Sequence, residues 1–240
     1  MSPGFRRLLR PKWLVWHVLI GVLLITTFNL GFWQLRRLET RQTWNAQVEL
    51  QGALPPVTLE EALVGPPDQA LFRRVSATGE FDEAAQVYVA HRSQNDSPGL
   101  HVVTLLRVTD GPDVVVNRGF VPRLTYLEDD PTLWPAALGE VEISGVLVEQ
   151  TVRSGGLGDE VMGIDLAALS QRWGVSVAPF VLQATDGANV DWLPAPLPEP
   201  DLSDGPHLGY ALQWFAFTLV GVVGYPLAMA NVARRTEEVA

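Results

Sequence analysis

The run HLGYALQWFAFTLVGVVGYPLAMANVARR, His207 to Arg235, decides how the rest of the chain is read. Between His207 and Arg234 lie 26 residues without a charge. A helix rises ~1.5 Å per residue, so ~20 of them already cross the ~30 Å hydrocarbon layer of a bilayer. A membrane helix is therefore expected over residues 207–231. His207, Tyr210, Trp214 and Phe217 advance by three or four positions and so share one stripe of it. An imidazole able to bind a proton or a metal thus opens the span, where membrane meets water.

A second uncharged run, WLVWHVLIGVLLITTFNLGFWQL, covers the 23 residues from Trp13 to Leu35 and is also long enough to span. A cleavable signal peptide has an apolar stretch of only about 7–15 residues and a small-residue cleavage site. Here Phe28, Leu30, Phe32 and Trp33 stand near the end of the run, so an uncleaved anchor is expected. Two spans put both termini on one side. Arg6, Arg7, Arg10 and Lys12 precede the first span and Arg234 and Arg235 follow the second, which places both ends in the cytoplasm. Arg36, Arg37 and Arg41 weaken that bias at the first span, and the second restores it. Trp13, Trp16, Trp33 and Trp214 suit the interfacial aromatic belts.

The expected organisation is a cytoplasmic tail (1–12), a first span (13–35), an extracytoplasmic domain (36–206), a second span (207–231) and a cytoplasmic tail (232–240). Residues 34–208 carry 25 Asp or Glu against 11 Arg, a net charge of −14, so nucleic acid is excluded as a partner. Cysteine is absent, which rules out disulfides, thiolate metal sites and a thiol nucleophile. Arginine outnumbers lysine 16 to 1, as in GC-rich bacteria, and the first span begins too early to follow an organelle transit peptide. A bacterial plasma membrane is the expected location, with the bilayer itself as one partner.

Past the first span, residues 36–51 continue as a helix or a stalk until Pro55-Pro56. Thr58 and Glu61 form a capping-box pattern for a short helix to about Val64, stopped by Gly65-Pro66-Pro67. FRRVSATGEF alternates with a period of two, a strand with one buried face. Residues 86–91, 100–108, 114–120, 141–148 and 180–185 read as further strands, with Asp110-Gly111-Pro112-Asp113 as a hairpin turn. Residues 122–139 show no period and read as a loop or lid. SGGLGD, 154–159, lacks the Lys-Ser/Thr of a phosphate loop and reads as a flexible connection. Asp165 caps a helix over LAALSQRW that Gly174 ends. Five prolines between 194 and 206 make an extended arm back to the membrane. The fold class is α+β: two transmembrane helices flanking a mostly antiparallel β domain, barrel-like or a sandwich, with short helices.

No catalytic-triad signature is present, and no activity as an enzyme is expected. His91 and His101 lack a second ligand at i+2 to i+4 and read as strand surface residues; His17 reads as a residue that snorkels or bonds a neighbouring helix. Asn95-Asp96-Ser97 reads as a turn. His207 stands apart, because an ionisable group at the edge of a span is a functional candidate. Neutral imidazole is a usual axial ligand of haem iron, and Tyr210, Trp214 and Phe217 could line a porphyrin plane. The competing reading is an interfacial histidine wetted by headgroups. Arg36 and Arg37 could pair with haem propionates or serve as snorkelling anchors.

LGFWQLRR, FRRVSATGEF, VVNRGFVP (115–122) and HLGYALQWF follow one another in an order that resembles the successive motifs of the surfeit locus protein 1 family. The resemblance covers both ends of the chain and most of its middle. It implies a two-span factor in the biogenesis of cytochrome c oxidase, assisting the handling of haem a and its insertion into the catalytic subunit of a haem-copper oxidase. It implies that His207 is the haem-associated metal ligand, with Tyr210 and Trp214 flanking the ring, and that Gly79 is the family's strand glycine. Phe120 stands where the family commonly has Trp. The alternative is a permanent structural subunit of the mature oxidase or of a respiratory supercomplex.

Overall fold

The structure is a computed structural model and describes residues 8–128, 134–153, 155–190 and 192–237. Arg6 and Arg7, the middle of the 122–139 loop and Ser154 lie outside the described residues. The chain divides into two compact units, Met1–Ala46 with Leu202–Ala240, and Gln47–Asp201.

The first unit is built on two helices, α1 (Pro11–Ala53) and, at the other end of the chain, His207–Glu237. Both are long and apolar enough to cross a membrane. Their apolar side chains stay uncovered: Ile25 is 65% exposed and Val220 69%. A helical hairpin in the core of a water-soluble protein would hide these side chains, whereas lipid solvates them. The two helices touch along one antiparallel seam. The Phe215 ring fills the space over Gly31, where a Cβ would lie 2.5 Å from it, and Leu24 fills the space over Gly221. Thr27 and Thr218 bring their hydroxyl oxygens to 2.8 Å. In hydrocarbon such small-against-large steps and hydroxyl contacts hold helices together, because apolar burial alone no longer favours association over lipid contact.

The second unit is a sheet of eight strands with short helices. β1 (Val57–Thr58) leads into α2 (Leu59–Val64), whose N-cap Thr58 and Glu61 exchange both bonds of the capping box; α3 (Pro67–Ala70) follows. β2 (Arg74–Gln94) is one strand of 21 residues where the sequence suggests two, because the Asp82–Gln86 stretch is a bulge rather than a break. It turns into β3 (Ser97–Val108) through Asn95 and Asp96, at φ 50° and 60°, the left-handed pair that a two-residue hairpin needs. β4 (Asp113–Pro122), β5 (Glu140–Val148), β6 (Gly156–Leu157), β7 (Glu160–Val161) and β8 (Val177–Asp186) complete the sheet.

β2 pairs with β3, β3 with β4, β4 with β8, β8 with β5, and β5 with the start of β2, so the circuit closes. Of the open alternatives, barrel and sandwich, this circuit is a five-stranded barrel, antiparallel except at β4–β8. Gly79 sits where β2 changes partner, opposite both Val108 and Val141, and a Cβ there would lie 2.1 Å from Arg107 O. This close backbone approach at Gly79 lets one strand serve both sides of the closure.

Two expectations change. Arg123–Glu128 is a short helix, α4, with Leu124 and Leu127 exposed, rather than irregular loop, and Trp134 beyond it is buried near Tyr126. The SGGLGD stretch supplies β6 and the turn into β7, with Gly156 and Gly158 at positive φ, and β7 adds to β2 at Tyr88 and Val89. The proline-rich arm begins against the barrel, where Ala195 and Phe120 exchange two backbone bonds of 2.8 Å. Asp165 caps α5 (Leu166–Trp173), and Gly174 ends it at φ 69°, as its residues indicate. The last helix, α6, starts at His207.

Candidate functional site

α1 outruns its apolar stretch: at ~1.5 Å per residue its 43 residues extend about 65 Å, roughly twice a hydrocarbon layer. Its polar continuation fastens the chain as it returns to α6. Arg41 Nε donates to Ser203 O at 3.1 Å, Gln42 Nε2 to Asp204 Oδ2 at 2.8 Å, and Asn45 Nδ2 to Leu202 O at 2.6 Å. Gly205, at φ 68°, turns the chain, and Pro206 offers its carbonyl to the Tyr210 amide at 3.1 Å. His207 is thus delivered to the first turn of α6 in a set position.

The imidazole faces α1. His207 Nδ1 lies 2.9 Å from Gln34 Oε1, and Gln34 is only 9% exposed. An amide oxygen can only accept, so Nδ1 carries the proton and Nε2 keeps its lone pair. No described residue bonds Nε2, and Gly205 faces that nitrogen without a side chain. Metal-ligating histidines likewise have their second nitrogen held by an outer partner.

The aromatic stripe lies beside the imidazole. Round the helix Trp214 is displaced from His207 by roughly 20° and Tyr210 by roughly 60°. Tyr210 and Phe217 are half exposed, and Trp214 meets Phe217 edge-on at 5.9 Å. His207 makes its contact with Gln34 rather than with Tyr210 or Trp214. Arg36 and Arg37 are exposed on the turn of α1 that follows Gln34. Among the described residues, no three His, Asp or Glu side chains gather as a metal-binding set. One imidazole is a poor cage for a bare ion but suffices as an axial ligand for iron whose other positions a porphyrin already fills.

The remaining histidines are placed differently. His17 is spoken for at both nitrogens, by the Tyr225 hydroxyl and by Leu8 O at 3.1 Å. His91 is exposed. His101 accepts from Asn117 Nδ2 at 3.2 Å, and burial, with the Arg92 charge adding to it, pushes its pKa down to about 4. In the barrel Arg118 is 1% exposed and its bonds to described residues go to neutral acceptors: Asn189 Oδ1, Gln86 Oε1 and the carbonyls of Trp134 and Pro135. Burial lowers its pKa to about 10, a shift that Glu83 opposes.

Sequence reading missed Gln34 and Arg118. Gln34 did leave a signal, a lone amide near the end of an apolar run. Arg118 left none, because one arginine in an N-R-G-F run looks like any surface charge.

The SURF1 family profile matches residues 21–219, a stretch that takes in Gln34, Arg118 and His207 and stops short of Tyr225. An uncharacterised SURF1-like protein of Mycobacterium tuberculosis is 29% identical over 254 aligned positions, covering 98% of this chain and 90% of that one. A SURF1-like protein of Rickettsia felis is 26% identical over 230, covering 88% and 96%. Surfeit locus protein 1 of Takifugu rubripes is 30% identical over 157, covering 57% and 62%.

Proposed function

The chain belongs to the SURF1 family, known in general as cytochrome oxidase assembly factors rather than enzymes, and from that premise we propose that it handles haem a for a haem-copper oxidase. In this reading the iron meets His207 Nε2, Tyr210 and Trp214 flank the porphyrin, and Arg36 and Arg37 take its carboxylates. The observation that carries it is the Nδ1 bond to Gln34, which leaves Nε2 with a free lone pair at the start of a membrane-length helix. A porphyrin brings four nitrogen ligands of its own, so a single protein nitrogen holds it weakly enough to pass it on. The partner is the oxidase catalytic subunit, and the barrel stands on the extracytoplasmic side with both termini inside, in a bacterial plasma membrane.

The test is to purify the full chain from a host that makes haem a and to record its visible spectrum. Wild type carries haem; His207→Ala loses it and slows oxidase maturation. Colourless wild-type protein, or a His207→Ala spectrum equal to wild type, overturns the ligand role. Labelling of single cysteines placed in the barrel of intact cells tests its side of the membrane.

A further inference from the structure

Near the end of the helix pair remote from His207, α6 carries Pro226, which has no amide hydrogen to offer Val222 O and crowds that carbonyl. Beside it opens a cavity of about 480 Å³. Leu8, Leu9, Met229 and Ala230 help to wall it, His17 lies within its lining, and Arg234 is the one charged residue among the described residues that line it. The size falls in the range of small-molecule sites, and the lining is of the usual kind: apolar with very few polar groups.

What the cavity can take follows from which polar atoms are free. Leu8 O can only accept, so His17 Nε2 carries the proton; Nδ1 then accepts from the Tyr225 hydroxyl. His17 thus offers neither a lone pair for a metal nor a donor for a carbonyl-bearing ring. His17 therefore differs from His207: its role is to tie the entry of α1 to α6 and so close the cavity wall. The guanidinium of Arg234 has no carboxylate partner among the described residues and is exposed. An apolar recess with one cation among its described lining residues matches a molecule with a long hydrocarbon body and an anionic head.

We propose that this cavity holds one anionic glycerophospholipid of the surrounding bilayer, with an acyl chain against Leu8, Leu9, Met229 and Ala230 and its phosphate at Arg234. The lipid fills the recess beside Pro226 and would stiffen the helix pair at the end opposite His207. The site does not depend on haem handling, so each idea can fail without the other.

The experiment uses the full chain in mild detergent, equilibrated with equal amounts of phosphatidylglycerol and phosphatidylcholine and weighed intact by native mass spectrometry. Wild type retains one phosphatidylglycerol, favoured about fivefold, as one arginine near an anionic headgroup gives. Arg234→Gln equalises the two lipids. Ala230→Trp puts an indole into the recess and removes the retained lipid, whereas Val220→Trp, on an exposed part of α6, keeps it. Circular dichroism confirms that the variants keep their helices. Equal retention of both lipids by wild type, or undiminished phosphatidylglycerol on Ala230→Trp, overturns the proposal; so does a neutral isoprenoid found in the lipid's place.

Discussion

Replacing Gln34 by Leu tests the core of the site without touching the ligand atom. The side chain keeps its approximate volume and loses the only described acceptor of His207 Nδ1, which lies 2.9 Å from Oε1 at a position 9% exposed. Leaving a buried donor unmet costs about 1–3 kcal/mol. Loss of an outer partner of a ligating histidine typically weakens metal affinity about 10–100-fold, or about 1.4–2.7 kcal/mol, so the two estimates agree. The assay is a titration of haem into detergent-purified protein, followed by the Soret band, for wild type, Gln34→Leu, Gln34→Glu and His207→Ala. Gln34→Leu should bind about 10–100-fold more weakly. Gln34→Glu, whose carboxylate still accepts from Nδ1, should stay within about tenfold of wild type. If Gln34→Leu matches wild type while His207→Ala abolishes binding, the Nδ1 bond does not orient the imidazole. If all four proteins bind alike, Nε2 is not the ligand at all.

Gly79→Ala should cost the barrel about 3 kcal/mol or more, since its Cβ would meet the backbone oxygen of Arg107 rather than a movable side chain; a thermal melt within 1 °C of wild type would refute that. For His101, a folded pKa of about 4 against about 6.5 unfolded means that the folded state resists protonation. Its contribution, at most about 3 kcal/mol, is complete above about pH 6.5 and is lost as the pH falls toward 4. Urea titrations at pH 7 and 4.5 should therefore show a steeper loss for wild type than for His101→Gln, and equal losses would count against this account. Arg118→Leu, which takes a donor from Asn189 Oδ1 and from the Trp134 and Pro135 carbonyls and leaves Gln86 Oε1 with its Thr104 bond, should destabilise the barrel by about 3 kcal/mol, and Arg118→Lys should recover little because an ammonium cannot span the same fork. Full recovery by lysine, measured by chemical denaturation, would show that charge alone matters there.

The two long helices were legible because a bilayer imposes one crude demand, length without charge, that a sequence displays directly. Caps were legible too: Thr58 with Glu61, and Asp165 with Gly174, satisfy chain ends within a few residues. Closure of the barrel was not, because it depends on β2 bending at Asp82–Gln86 and changing partners at Gly79, and pairing between distant strands leaves no local pattern. His207 stood out by chemistry, but its tautomer is set by a residue 173 positions away. The aromatic stripe was right as a stripe. That the imidazole turns to α1 while Tyr210 and Phe217 look outward is a consequence of packing, which spacing alone does not reveal.

The three bonds from Arg41, Gln42 and Asn45 to residues 202–204 act as a clamp just upstream of the second span. Whatever happens to the linker before the clamp, the distance from it to the imidazole is only a few residues. Relatives could lengthen or shorten the stretch between Pro196 and Asp201 freely and still deliver the ring nitrogen to the same depth, which makes that linker the natural place for a reporter tag or a spacer.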